Sequence, residues 1–128
     1  MNQTQLEDQR NVLGGTLLAC SYAPLTGFFR TGCCETSNED VGRHVVCVKV
    51  TEEFLVFSMS AGNDLSTPRP EMRFAGLRTG DRWCLCATRW IEAWRGGAAP
   101  PVVLAATNQA ALELIPLELL QAHALDGG

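Results

Sequence analysis

The chain has 128 residues, 46% of them hydrophobic and 19% charged, with a formal net charge of −4 at pH 7. This balance is typical of one globular domain and not of a disordered chain. The acidic charge argues against nucleic acid as a partner, and the apolar runs are too short to cross a membrane.

The N-terminus is predicted to be a flexible polar tail over residues 1–10, followed by a single globular domain over residues 11–125. Leu17-Leu18-Ala19-Cys20 resembles a lipoprotein cleavage site. The first ten residues, however, include Glu7 and Asp8 and lack the positive start of a signal peptide. We therefore predict a cytoplasmic protein with no membrane partner.

The first regular element is predicted at residues 44–50, where valines occupy both faces of a strand. Thr51 is a good N-cap for a helix that runs to about Ala61, and Gly62 ends that helix. A second strand is predicted at residues 82–87, after the turn residues Gly80-Asp81.

The C-terminal third is predicted to contain one more strand and three helices. Thr88 is expected to cap a helix to Arg95, and the third strand is expected at residues 102–104. Thr107 or Asn108 would cap a helix through residue 114, and a last helix would run over residues 116–125. This order indicates an α+β fold, a single compact domain with a mixed sheet packed by three to four helices. A small α/β fold is the alternative.

Two long irregular stretches, residues 16–43 and 63–80, separate these elements. Long loops inside a compact domain are often functional. The second begins with polar residues that either fold the loop on itself or bind a small ligand. Two arginines could hold an anion there. The candidate ligand-binding residues are Arg30, Asn63, Asp64, Ser66, Thr67 and Arg89.

The six cysteines have no secreted context in this sequence, so we expect reduced thiols. Their C-C and C-x-C spacings do not match the C-x₂₋₄-C pairs of structural zinc sites, so no metal or other cofactor is expected. Structural zinc is kept as a further reading. The alternative to a metal site is that several cysteines simply fill the core, and Cys47 on the valine strand is the clearest example.

Four residues are candidates for catalysis: Cys33, His44, Cys84 and Cys86. A reactive thiol needs a nearby cation, metal or helix N-terminus, and Cys84 and Cys86 precede a predicted helix. His44 could act as a base if a partner such as Cys33, Cys34 or Asp40 lies within hydrogen-bonding reach. The tryptophans Trp83, Trp90 and Trp94 are expected in the core, where one of them could also line a pocket. Residues 82, 84 and 86 would share the strand face that can hold a site.

Several motifs are distinctive: Asn11-Val12-Leu13-Gly14, Pro24-Leu25-Thr26-Gly27-Phe28, Gly32-Cys33-Cys34-Glu35-Thr36, Gly62-Asn63-Asp64-Leu65-Ser66-Thr67-Pro68 and Gly80-Asp81-Arg82-Trp83-Cys84-Leu85-Cys86. Together they resemble the small, mainly bacterial proteins catalogued as domain of unknown function 2237, over residues 11–124. Ala75 stands where that family usually has proline, and Asn108 where histidine is common. The resemblance implies no particular activity or catalytic residues.

Two functions are therefore open. The first is a small-molecule-binding protein or enzyme, whose cysteine-containing polar site is formed by the irregular loops beside Cys84-Leu85-Cys86. The second is a non-catalytic interaction module, a homo-oligomer with purely structural cysteines. The sequence does not decide whether the protein is an enzyme.

Overall fold

A computed structural model describes residues 9–126 of the chain. Within them lies a compact α+β arrangement, as the sequence predicted. Strand β1, His44–Lys49, pairs with strand β2, Arg82–Cys86, in a two-stranded antiparallel sheet. Val102 extends this sheet by single bridges, antiparallel to Val48 and parallel to Ala124. Because β1 and β2 are antiparallel, they do not form the parallel strand pair that a small α/β fold would have.

Three α-helices pack around the sheet: α1, Glu52–Ser60; α2, Ala87–Arg95; and α3, Leu117–Ala122. Short 3₁₀ helices occupy Pro70–Met72, Leu104–Ala106 and Gln109–Glu113. The hydroxyl of Thr51 accepts a hydrogen bond from the Phe54 amide at 3.1 Å, which confirms the predicted cap of α1. None of the described helices is long and apolar enough to cross a membrane.

Several predicted element boundaries were wrong. Helix α2 begins directly after β2, so its N-cap is Cys86 and not Thr88. The third strand does not form beyond Val102, because the Asp126 carboxylate accepts hydrogen bonds from the Leu104 and Ala105 amides and holds the chain in a turn. The helix after Asn108 forms with the predicted cap, although it is 3₁₀, and α3 is shorter than expected.

The N-terminal tail was predicted to end at residue 10, and residues 1–8 lie outside the described part of the chain. Gln9 and Arg10 belong to the fold. The Gln9 side chain exchanges two hydrogen bonds with the backbone of Thr36, at 2.8 and 2.9 Å. Arg10 forms a bridge with Thr16. The polar composition of this segment therefore did not show where the fold begins.

The main core lies between the sheet and the helices. Trp90 is fully buried, and its indole N–H donates to the Pro100 carbonyl at 3.1 Å, which satisfies its one polar group. Trp83 is also buried, as predicted. Trp94 is 42% exposed, so its predicted core position was wrong. It lies four residues after Trp90, but near the end of α2, where the helix leaves the core.

Four cysteines form two buried disulfides, Cys20–Cys47 and Cys34–Cys84, so the expectation of reduced thiols was wrong in this structure. The strand register explains why. Cys47 and Cys84 are directly opposed in the antiparallel pair, and the irregular N-terminal segment brings one further cysteine to each. Only Cys33 and Cys86 keep free thiols. Sequence spacing alone could not show this, because the partners are far apart along the chain.

We predict that the Cys20–Cys47 disulfide contributes substantially to stability. It closes a segment with a sequence separation of 27, and the chain-entropy model gives about 3.5 kcal/mol for a loop of that length. The double variant Cys20→Ala/Cys47→Ala should therefore lose at least that free energy of unfolding in non-reducing urea titrations. Cys33→Ser, which removes a free thiol, is the control and should unfold close to wild type. An unchanged midpoint in the double variant would contradict the prediction.

Candidate functional site

A β-bulge at the start of β1 determines which side chain faces Cys86. Val46 pairs with Leu85, so a regular register would place Val45 opposite Cys86. The register shifts between His44 and Val46, and His44 becomes the partner of Cys86. Directly opposed residues have Cβ atoms about 5 Å apart and project from the same face. Bulges commonly redirect side chains beside active sites in this way.

The His44 imidazole is held by a buried carboxylate. Its Nδ1 lies 2.6 Å from Oδ1 of Asp40, whose side chain is completely buried. The other Asp40 oxygen accepts from the His44 amide at 2.9 Å and from the Thr36 hydroxyl at 3.0 Å. Since Asp40 occupies Nδ1, the second ring nitrogen, Nε2, is left for another partner. The imidazole itself is 41% exposed.

The Cys86 thiol lies at the N-terminus of α2, a nine-residue helix. It donates a hydrogen bond to the Gly42 carbonyl at 2.6 Å, and its sulfur lies 3.2 Å from the Thr88 hydroxyl. Among the described residues, no side chain caps this helix end. The free amides of a helix N-terminus favour negative charge, and reactive thiolates often occur at such positions.

Gly42 contacts both His44 and Cys86. A Cβ added there would lie 2.9 Å from Cε1 of His44, so any larger residue would push the imidazole away. The carbonyl of the same glycine accepts from Cys86. Arg43, which lies between Gly42 and His44 in the chain, has a left-handed backbone with φ of 54°. Such strained positions persist only where surrounding contacts fix them, and they are frequent at functional sites.

A cavity of about 430 Å³ lies against β2 and includes this pair of residues. The sequence had suggested that one face of the strand holds the site. Four consecutive residues of β2 line the cavity instead, so the cavity follows the outer edge of the strand. Six of the predicted site residues also line it: Arg30, His44, Asn63, Cys84, Cys86 and Arg89. Their role in binding or catalysis stays a prediction.

The two arginines of the cavity differ in their partners. Arg89 pairs with Glu92 at 3.0 Å and also donates to the Ala61 carbonyl. Arg30 donates to the Gly27 carbonyl at 2.6 Å, and its guanidinium carbon lies 5.4 Å from the Trp83 ring centroid. Within residues 9–126, Arg30 has no carboxylate partner. It is therefore the better placed of the two to bind an anion.

The predicted polar ligands Asp64, Ser66 and Thr67 do not line this cavity. The Asp64 carboxylate accepts from the Thr67 hydroxyl and from the amides of Ser66 and Thr67, which closes a local turn. These hydrogen bonds lower the pKa of Asp64, and the bond from the Thr67 hydroxyl has the largest effect. The structure therefore favours the loop-forming interpretation of this segment.

The remaining cysteine candidates have different surroundings. Cys84 is buried and bonded to Cys34, so it has no free thiol to react in this structure. Cys33 is free and partly buried but does not line the cavity. Burial raises the pKa of the Cys33 thiol, and the nearby Glu35 carboxylate raises it further. Of the six cysteines, Cys86 alone combines a free thiol, the cavity and a histidine partner.

Two contributors to the site were not among the predicted site residues. Phe28 lines the cavity and stacks on His44, with ring centroids 6.1 Å apart and an interplanar angle of 25°. Asp40 was considered only as a partner for His44. Its spacing four residues before the histidine was the available signal, but burial of its carboxylate could not be read from that spacing.

A family model matches residues 10–124, and its description reads "Uncharacterized protein conserved in bacteria (DUF2237)". The match covers almost the whole described part of the chain. No curated protein matches the sequence. Asn108 caps the 3₁₀ helix at Gln109–Glu113 and donates to the Cys34 carbonyl at 3.0 Å.

We predict that Cys86 reacts with iodoacetamide before Cys33 in the oxidised protein. The raised pKa of Cys33 leaves less thiolate at neutral pH, so its labelling should accelerate only as pH rises towards and above the ordinary thiol value of 9.0. Peptide mass spectrometry after timed alkylation measures both rates. Glu35→Gln should speed Cys33 labelling and leave Cys86 unchanged. Faster labelling of Cys33 than Cys86 in the wild type would contradict this order.

Proposed function

The chain belongs to the DUF2237 family, and we propose that it is a thiol-dependent enzyme acting on a small anionic molecule with an electrophilic carbonyl carbon. The observation that carries the proposal is the alignment of a free thiol, an imidazole and a buried carboxylate beside one cavity. Cysteine nucleophiles are activated by such a base, which is oriented in turn by a third group.

Each residue has a defined role in the proposed reaction. Cys86 Sγ attacks the carbonyl carbon and forms a thioester, while its proton passes to Nε2 of His44. The imidazolium returns that proton to the leaving group as its bond to carbon breaks. Water then attacks the thioester and gives a proton to His44. The C–S bond breaks, and the imidazolium returns that proton to Sγ of Cys86 as the acid product leaves. Asp40 is a positioning residue that keeps Nδ1–H in place and stabilises the imidazolium.

The start of the reaction requires a small rotation of the thiol. Cys86 now donates its proton to the Gly42 carbonyl, and rotation about its χ1 would direct the sulfur towards the cavity. The adjacent N-terminus of α2 would stabilise the negative charge that develops on the carbonyl oxygen. That charge would develop beside the helix end, because Cys86 is itself the N-cap of α2.

The substrate class follows from the size and charge of the cavity. A volume of about 430 Å³ suits a small molecule and is too small for a folded partner. Arg30 supplies a positive charge stacked on Trp83, and Phe28 supplies an apolar wall. A guanidinium of this kind recognises carboxylate or phosphate groups. We therefore propose an anionic substrate with one apolar part.

The other expectations stay predictions. A non-catalytic homo-oligomer gains some support, because four of the six cysteines are held in disulfides and are structural. That alternative leaves the Asp40–His44 pair beside Cys86 without a role. The cytoplasmic placement also stays a prediction, and two disulfides are more typical of an oxidising compartment.

We predict that His44 increases the nucleophilicity of Cys86. His44→Ala should slow acylation of Cys86 by 4-nitrophenyl acetate about 100-fold at neutral pH, the lower end of the contribution of a general base. Stopped-flow release of nitrophenolate measures the rate, and mass spectrometry locates the acyl group. Cys86→Ser is the control and should show no fast phase. An unchanged rate in His44→Ala would contradict the proposed role of the histidine.

We also predict that Arg30 attracts anions towards Cys86. The ratio of iodoacetate to iodoacetamide alkylation rates at Cys86 should fall about fivefold in Arg30→Asn, the loss of about 1 kcal/mol of attraction between partly solvated charges. Arg30 has φ of 56°, and asparagine tolerates this left-handed conformation.

Arg73→Asn is the matched control for this experiment. Arg73 has the same left-handed backbone, with φ of 55°, and it does not line the cavity. Its substitution removes the same charge and should leave the ratio unchanged. Equal effects of the two variants would show a general electrostatic influence and would overturn the anion-binding role of Arg30.

A further inference from the structure

A second group of sulfurs lies apart from the Cys86 thiol, inside the protein. The Sγ atoms of Cys20, Cys34 and Cys47 lie within 4.8 Å of one another. Cys84 is bonded to Cys34 and supplies a fourth sulfur. All four residues are at most 4% exposed, and they pack with Val103 and Ala106 in a small cluster of their own. We call these four residues the core cysteines.

Contacts other than the disulfides hold the core cysteines together. Cys47 and Cys84 are opposed in the strand pair. Their amides donate to two buried hydroxyls, those of Thr107 at 3.1 Å and Thr26 at 2.9 Å. These bonds belong to the sheet and its neighbours, so they would persist if both disulfides were reduced.

The other two core cysteines are fixed in the same way. The Cys20 amide donates to the Gly32 carbonyl at 2.7 Å, and the Cys34 carbonyl accepts from the Asn108 side chain at 3.0 Å. Reduction would therefore leave four thiols close together in the interior, and would not release the segments that carry them.

We propose that the reduced protein binds one thiophilic d¹⁰ cation, of the Zn²⁺ class, through the four core cysteines. Two equivalents of a dithiol reductant would convert the two disulfides into four thiols, with transfer of four electrons and four protons. Zn²⁺ binding then releases the protons as thiolates form. In a tetrahedral site with Zn–S of about 2.3 Å, the sulfurs lie about 3.8 Å apart. Three of the sulfurs already lie within 4.8 Å of one another, and the two bonded pairs, now at 2.05 and 2.03 Å, would move apart once reduced.

Electrostatics makes the metal necessary for these thiolates. Uncompensated anions in an apolar interior are very costly, so thiols at this depth stay protonated unless a cation binds them. A bound Zn²⁺ neutralises part of the charge and replaces the lost covalent links between the strands and the N-terminal segment. The metal site and the two disulfides are therefore alternative ways of closing the same part of the fold. This inference does not depend on the proposed chemistry of Cys86.

The test begins with wild-type protein reduced by a phosphine under anaerobic conditions and then supplied with Zn²⁺. Elemental analysis after gel filtration should give one zinc per chain. Alkylation and peptide mass spectrometry should then show Cys33 and Cys86 modified and the core cysteines protected. Circular dichroism should show a higher melting temperature with zinc than without it. A reduced protein that binds no zinc, or zinc that leaves the core cysteines open to alkylation, would overturn the proposal.

Two variants locate the metal. Cys33→Ser/Cys86→Ser removes both free thiols and should retain one zinc per chain. Cys47→Ser should lose at least 90% of the bound zinc. Should Cys47→Ser fail to fold, Cd²⁺ absorption in the reduced wild type gives the number of thiolate ligands. Four ligands support the site, and two or fewer overturn it. Loss of zinc in the double variant would assign the metal to the free thiols and would also overturn it.

Discussion

The antiparallel pairing of His44–Lys49 with Arg82–Cys86 is the constraint on which both sulfur-containing sites depend. In its regular part the pairing opposes Cys47 and Cys84 inside the protein. One bulge further along the same ladder brings His44 to Cys86 at the cavity. The bulge lies at the end of the ladder, outside the Cys47–Cys84 pair. It therefore changes the partner of Cys86 and leaves the pairing of Cys47 with Cys84 regular. The same strand pair thus positions both the buried cysteine pair and the Cys86 thiol beside the cavity.

Much of the local structure could be predicted from the sequence, whereas the pairing could not. Alternating valines gave the first strand to within one residue, and Thr51 gave the start of α1. These patterns are local. Strand direction, register and the bulge depend on contacts between residues that are about 40 positions apart, such as His44 and Cys86, and no local periodicity encodes them. The same reason explains why the disulfides were missed, since each joins segments that are distant along the chain.

The candidate site shows the same division. Six residues selected for their chemistry line one cavity, because the irregular segments fold back on the strand beside which they were expected. Asp64, Ser66 and Thr67 were selected on equally polar grounds but satisfy one another in a turn. Polar composition cannot separate these outcomes, because a side chain that binds a ligand and one that folds a loop use the same donors and acceptors. The position of each side chain relative to the cavity separates them, and that position is a property of the whole fold. Asp40 illustrates this dependence. Its carboxylate holds the His44 ring in one orientation because the fold buries it there, which its sequence position alone does not show.

The two classes of thiol would respond differently to the redox state of their surroundings. Cys86 has no disulfide partner and touches the Gly42 carbonyl and the Thr88 hydroxyl, so mild reduction leaves its bonding unchanged. Reduction of the core cysteines would instead remove two covalent links that join the N-terminal segment to the sheet. That segment carries Phe28, Arg30 and Asp40, which wall the cavity, supply its charge and hold the imidazole. The other hydrogen bonds of Cys20 and Cys34 would still hold that segment after reduction, and a bound metal would replace the lost links, so the surroundings of Cys86 would be kept in either state.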